Sequence, residues 1–203
     1  MANTSRVNGF RPVKHQNGSP YNGQANIYYV ASAADEILVG DIVKLGGSAD
    51  TNGIPSADLA GASDVPCGVV VGIVNPKVDP SGKMTTGSTT LDLPGAAQIA
   101  ASAAGYVLVC DAPDVVCEVE TSNGTAVVAN IGLNASHANG ARTSSTVTSP
   151  ATIDMGTEAT TSTLNFRLLG FSRVIGNEVD AASAKMLVGF NVHQFGSVGT
   201  TGL

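Results

Sequence analysis

The chain has 203 residues, of which 43% are hydrophobic, 4% aromatic and 13% charged, with no tryptophan and a formal net charge of −6. That length suffices for one core of ordinary size, and the charged share lies well below the ~25% of an average soluble domain. The acidic balance excludes nucleic acid as a natural partner, because phosphates are repelled by an anionic surface. No apolar run approaches the roughly 18 residues of a membrane-spanning helix, so no membrane partner is expected.

The first 25 residues (MANTSRVNGFRPVKHQNGSPYNGQA) hold Arg6, Arg11 and Lys14 and no acid, which leaves seven cations against sixteen anions in the remainder. Rich in Asn, Gly and Pro, this stretch has only scattered apolar anchors: Val7, Phe10, Val13 and Tyr21. It is read as an extended arm that orders only against something else. No apolar segment follows its cations, so no signal peptide is expected and the product is expected to be made and kept in a cytosol.

The body is assigned to residues 26–195. Residues 26–31 read as a strand, and residues 37–45 as two short strands around a Gly40-Asp41 corner. Residues 46–64 form a long Gly/Asp/Ser loop. The β-branched run 67–74 reads as a central strand, and a Pro-containing loop covers 75–87. Residues 89–93 are a candidate edge strand, and 94–105 are either helix or extended chain. Residues 105–111 and 115–120 read as a hairpin turned at Asp111-Ala-Pro-Asp114. Further strands are expected at 125–133, 164–174 and 186–195, with a polar loop at 134–151 and a turn of partly helical character at 177–184. Residues 196–203 are a flexible tail. Short strands separated by Gly/Pro/Asp turns predict an all-β sandwich or small barrel, possibly jelly-roll-like.

The N-terminal stretch, Gly40-Asp41-Ile42-Val43-Lys44-Leu45, Gly68-Val69-Val70-Val71-Gly72, Tyr106-Val107-Leu108-Val109 with Asp111-Ala112-Pro113-Asp114, and Phe190-Asn191-Val192-His193-Gln194 together resemble a family of tailed-bacteriophage virion proteins. These are the head decoration, or cement, proteins on the outside of an icosahedral capsid. The resemblance implies a structural protein on the outer capsid surface, assembled in the host cytoplasm, whose partners are the major capsid protein and further copies of itself, as dimer or trimer. It implies no catalytic residue and no cofactor. On this reading Arg6, Arg11 and Lys14 pair with carboxylates on the shell, while Phe10, Val13 and Tyr21 fill shallow apolar pockets.

The reactive side chains form no known constellation. Glu118 and Glu120, at i and i+2, match the solvated face of an antiparallel strand. His15, His137 and His193 are far apart and lack metal-ligand spacing; His193 is expected to bond a neighbouring backbone group. Asp50-Thr-Asn52-Gly53 begins like a calcium loop without its remaining ligands. Three cysteines without a C-x-x-C pair argue against a disulfide framework or zinc site, although Cys110 and Cys117 would face each other across the expected hairpin. The alternative function is a phage head fibre or host-surface-binding module, which would place aromatic residues in the long loops; residues 46–64 and 134–151 hold no Phe or Tyr.

Overall fold

A computed structural model of the chain describes residues 3–31, 36–74, 98–142, 148–196, 199 and 202. In chain order the strands are β1 (Arg11–His15), β2 (Asn26–Val30), β3 (Ile37–Leu38), β4 (Ile42–Ala49), β5 (Pro55–Leu59), β6 (Gly68–Val74), β7 (Gln98–Ile99) and β8 (Gly105–Cys110). There follow β9 (Val115–Ser122), β10 (Thr125–Ala126), β11 (Asn134–Ala135), β12 (His137–Ala138), β13 (Thr152–Asp154), β14 (Phe166–Phe171), β15 (Ala181–Ala182) and β16 (Lys185–Phe190). The one described helical element is a 3-10 turn at Val128–Asn130. The protein is all-β, as its composition and turn spacing predict.

Five strands close into a barrel in the order β2-β5-β4-β6-β8. Its interior is filled by Tyr28, Val30, Val43, Ala57, Val70, Val107 and Val109. The residues next to several of these point the other way, into a second core: Ile42 beside Val43, Val69 beside Val70, and Cys110 beside Val109. Since successive side chains leave a strand on opposite faces, β4, β6 and β8 are buried on both sides along this seam. That is why residues 67–74 lack polar alternation.

The second core lies under a seven-stranded sheet ordered β11-β14-β16-β9-β13-β12, with β1 also paired to β9. β9 is central: β16 runs antiparallel along one edge, while β1 and then β13 share the other. Phe10, Val115, Cys117, Val119, Phe166, Leu168, Met186, Val188 and Phe190 point inward. The expected hairpin across 111–114 is therefore corrected. β8 spends its two edges on β2 and β6, and β9 spends its own within the other sheet, so Asp111–Asp114 is a crossover between the two assemblies. Asp111 braces it by accepting from Asn26 Nδ2 (2.9 and 3.0 Å) and the Tyr28 hydroxyl (2.8 Å).

The leader is also corrected. It does not wait for an external surface: Phe10 is 1% exposed and its ring stacks on Phe166 at 4.8 Å. β1 pairs with β9 in the register Arg11↔Glu118 and Lys14↔Val116, with an irregularity between Pro12 and Lys14. The boundary drawn at residue 25 thus cuts through one folding unit. Phe10 N–H donates to the Gly40 carbonyl at 2.8 Å. The backbones approach so closely that a Cβ on Gly9, at φ +65°, would lie 2.6 Å from the Gly40 oxygen. Beside this contact, fully buried Asp41 takes Arg142 in a two-pronged pair (2.6 and 3.0 Å), together with the Ser149 hydroxyl and Leu38 N–H.

Smaller differences follow from local chemistry. The stretch expected as a strand over 125–133 is cut short at Ala126, because the Asn130 side chain accepts Val127 N–H and closes a 3-10 turn. The 134–151 loop contains β11 and β12, and 177–184 contains β15 rather than a helical turn. The strand expected over 164–174 spans Phe166–Phe171. Of residues 94–105, the described part starts with β7, which is extended; residues 94–97 and the candidate strand 89–93 lie outside the described residues.

Candidate functional site

The strand pleat gives the large sheet an outward face bearing Arg11 and Lys14 on β1, Val116, Glu118 and Glu120 on β9, Lys185, Leu187 and Gly189 on β16, and Arg167 and Leu169 on β14. Arg6, in the chain leading into β1, and Arg173, in the loop leaving β14, lie at its rim. Six of the ten cations are therefore gathered on this side. Two others are committed elsewhere, Lys44 to Asp64 at 2.8 Å and Arg142 to Asp41; Lys77 and Lys83 lie outside the described residues. The barrel segments carry Glu36, Asp41, Asp50, Asp58, Asp64 and Asp111. The sheet side is nonetheless of mixed charge, since Asp114, Glu118, Glu120, Asp154, Glu158, Glu178 and Asp180 also lie in its segments.

The face is concave. A groove of about 680 Å³ is lined by Lys14, Gln16, Val116, Arg167, Leu169 and Gly189 among others. Its floor exists because Gly189 carries no side chain: a Cβ there would come 3.3 Å from both Leu169 Cδ1 and Gln16 Nε2. Apolar surface is interspersed, with Val13 39% and Leu169 41% exposed. Pro12 stands where the β1–β9 register becomes irregular, and its missing N–H is tolerated at a sheet margin.

Of the residues predicted to form the docking arm, Arg6, Arg11, Val13 and Lys14 are exposed and share this side of the molecule. Phe10 does not join them, since it is core. Tyr21 is half-buried against the same core, its hydroxyl donating to the Gln24 carbonyl at 2.9 Å; burial raises its pKa to about 12. The sequence reading missed Arg167, Lys185 and Leu169. Their alternation along 164–174 and 185–190 was visible, but not that these strands lie on the same sheet as β1.

Glu118 and Glu120 do lie on one face, opposite Cys117 and Val119, but it is not the solvated face expected, since Glu118 is half-buried and Glu120 buried. Each is engaged in holding structure. Glu118 accepts a short hydrogen bond from the Ser172 hydroxyl. Glu120 accepts from the Ser5 hydroxyl (2.6 Å) and Arg6 N–H (2.8 Å), tying down the leader. His137 packs edge-on to Phe10 and Phe166 with Nε2 3.0 Å from the Ala60 carbonyl. His193 accepts Phe195 N–H on Nδ1 at 3.1 Å, so it bonds a neighbouring backbone group as expected. Burial lowers the pKa of both histidines. The three cysteines are free and buried, and desolvation pushes their thiols up, Cys67 to about 12. Asp50 caps its turn by accepting Asn52 and Ile54 N–H and the Tyr106 hydroxyl. Among the described residues no group of three or more His, Cys, Asp or Glu is placed to hold a metal ion.

The arrangement brings cations, a shallow groove and small exposed apolar side chains together on one side of the sheet. No family model, curated protein or solved structure matches the chain.

Proposed function

We propose that the protein is a virion structural protein that decorates and stabilises the outside of a bacteriophage head, its outward sheet face bridging neighbouring major capsid subunits. The observation carrying this reading is that Arg6, Arg11, Lys14, Arg167 and Lys185 stand on one side of the large sheet with exposed Val13 and Leu169, and that Lys14, Arg167 and Leu169 line its groove. Such a face suits an anionic protein surface. The resemblance of the N-terminal stretch and the later blocks to head decoration proteins points the same way.

The mechanism needs no chemistry. Exposed ion pairs contribute only about 0–1 kcal/mol each, so one face holds weakly and several linked copies hold through effective concentration. Copies spanning adjacent capsid subunits oppose outward pressure by having to be peeled off together. In this version of the reading the leader is a rigid part of the gripping surface rather than a flexible arm.

The experiment is to incubate the full-length protein with purified shells and to image the particles. Density on the outer surface at regular positions, removed by raised salt, is the expected result. Absence of bound protein at low salt overturns the proposal.

A further inference from the structure

A second concavity lies where the leader meets the loop that follows β14. It encloses about 380 Å³ and is walled by Val174 and Ile175 from that loop, Lys185 at the start of β16, and Thr4 and Arg6 from the leader. That volume falls within the range of small-ligand pockets. Its two sides differ in chemistry. On one, Val174 and Ile175 are 51% and 102% exposed. On the other, Arg6 and Lys185 carry charges that no carboxylate pairs among the described residues.

The walls are fixed by the fold. The Asn177 side chain donates to the Ser172 and Lys185 carbonyls (2.8 and 2.9 Å) and accepts Lys185 N–H (2.7 Å), replacing strand pairing where the loop widens. Asn3 donates to the Glu178 and Ala182 carbonyls (3.1 and 3.2 Å) and accepts Glu178 N–H (2.7 Å), which ties the leader to the loop. Across the pocket, Glu120 holds the backbone of Arg6 through its N–H at 2.8 Å. Apolar and cationic sides are therefore set against each other before any ligand arrives, which lowers the ordering cost of binding.

The neighbouring acids decide the charge of the ligand. Glu120 stands opposite Lys185 in the β9–β16 register and offsets it. Glu178 is itself engaged, and Asp180 Oδ1 accepts Val128 N–H at 2.8 Å. Arg6 remains as one surplus positive charge beside an uncovered aliphatic wall. A doubly charged phosphate would meet only one uncompensated cation, and an uncharged alkyl chain would leave Arg6 unused. We infer that this pocket binds a carboxylate carried on a short aliphatic chain. The guanidinium fork of Arg6 matches both carboxylate oxygens, and the chain lies along Val174 and Ile175, taking exposed apolar surface out of water. The site draws on two cations of the proposed docking face but not on its groove, and it holds whether or not that face meets a shell.

The test is calorimetric titration of the full-length protein, without shells, with hexanoate, acetate and hexanol. Hexanoate is expected to bind at one site, with acetate and hexanol each weaker by about tenfold or more. Arg6→Ala and Ile175→Asp should each weaken hexanoate by a similar factor with unchanged circular dichroism and melting temperature. Arg11→Glu/Lys14→Glu, whose changes lie outside the pocket, should bind hexanoate as the wild type does. No saturable hexanoate binding, hexanol or acetate binding equally well, or affinity indifferent to both Arg6→Ala and Ile175→Asp overturns the inference. So does a comparable loss in Arg11→Glu/Lys14→Glu, which would make the effect one of overall charge. A protein that occupies shells but ignores hexanoate loses this inference and keeps the proposed function; one that binds hexanoate but no shell does the reverse.

Discussion

The barrel and the seven-stranded sheet are built from the same residue types yet use them differently. The barrel closes on itself, buries valines and alanines inside, and carries acid on and around its wall. The sheet is open, takes its aromatic core from segments far apart in sequence, and shows its outward face and most of the cations to solvent. Phe10 arrives from the leader, Phe166 from β14 and Phe190 from β16, and their rings stack in sequence at 4.8 and 5.1 Å. The difference teaches that the leader belongs to the sheet's stability as much as to its surface.

The largest effect should follow from removing that shared ring. Phe10→Ala is expected to destabilise the protein by about 3–5 kcal/mol, the usual cost of deleting a large buried aromatic side chain, read from urea unfolding. Val13→Ala, three residues on but exposed, should stay within about 0.5 kcal/mol. Equal effects would mean that the leader does not fill the core.

Arg142→Ala tests the seam between the two regions. It strands the carboxylate of Asp41, whose side chain is 0% exposed, and removing one partner of a buried pair typically costs about 3–5 kcal/mol. Because Asp41 also gathers Ser149 and Leu38 beside the Gly9–Gly40 contact, hydrogen exchange in β3 and β4 should rise along with the loss of global stability. A loss below about 1 kcal/mol, the range of exposed pairs, would place this pair outside the load on the seam.

A smaller effect separates the regions by pH. His137 and His193 belong to the sheet side, and burial holds their folded pKa below the ordinary 6.5. The unfolded chain therefore binds more protons than the folded one just below that value. The stabilising contribution is present above about pH 6.5 and is lost as pH falls, by up to ~1.4 kcal/mol per pH unit for each histidine. His137→Asn and His193→Asn should each flatten the fall in melting temperature between about pH 6.5 and 5; a slope unchanged in both contradicts the assignment.

The fold was legible where period and turn chemistry are local. The run 67–74, the corner at Gly40-Asp41 and the alternation of Glu118 and Glu120 against Cys117 and Val119 were all visible in sequence. What local pattern cannot carry is which edges are already taken. Val115–Glu120 looked like the return arm of a hairpin because Asp111-Ala-Pro-Asp114 is good turn chemistry, but β8 had no edge left to offer. The leader misled for a related reason. One phenylalanine among Asn, Gly and Pro is too little to predict burial until its stacking partner, 156 positions away, is known. Arg6, Arg11, Val13 and Lys14 were identifiable by charge and exposure, whereas Arg167 and Lys185 required the sheet order. Ile175 lay just beyond the stretch 164–174 that read as a strand, and only the structure shows it as an uncovered tip between the clamps of Asn3 and Asn177.

The most direct test of the account is the occupancy of purified shells by full-length wild type and by the double variant Arg11→Glu/Lys14→Glu, measured side by side at low salt. Both positions are exposed, so the variant should melt within a few degrees of the wild type. The account predicts at least a tenfold loss of bound protein, with the remainder insensitive to added salt. Undiminished occupancy with the wild-type salt response would contradict it.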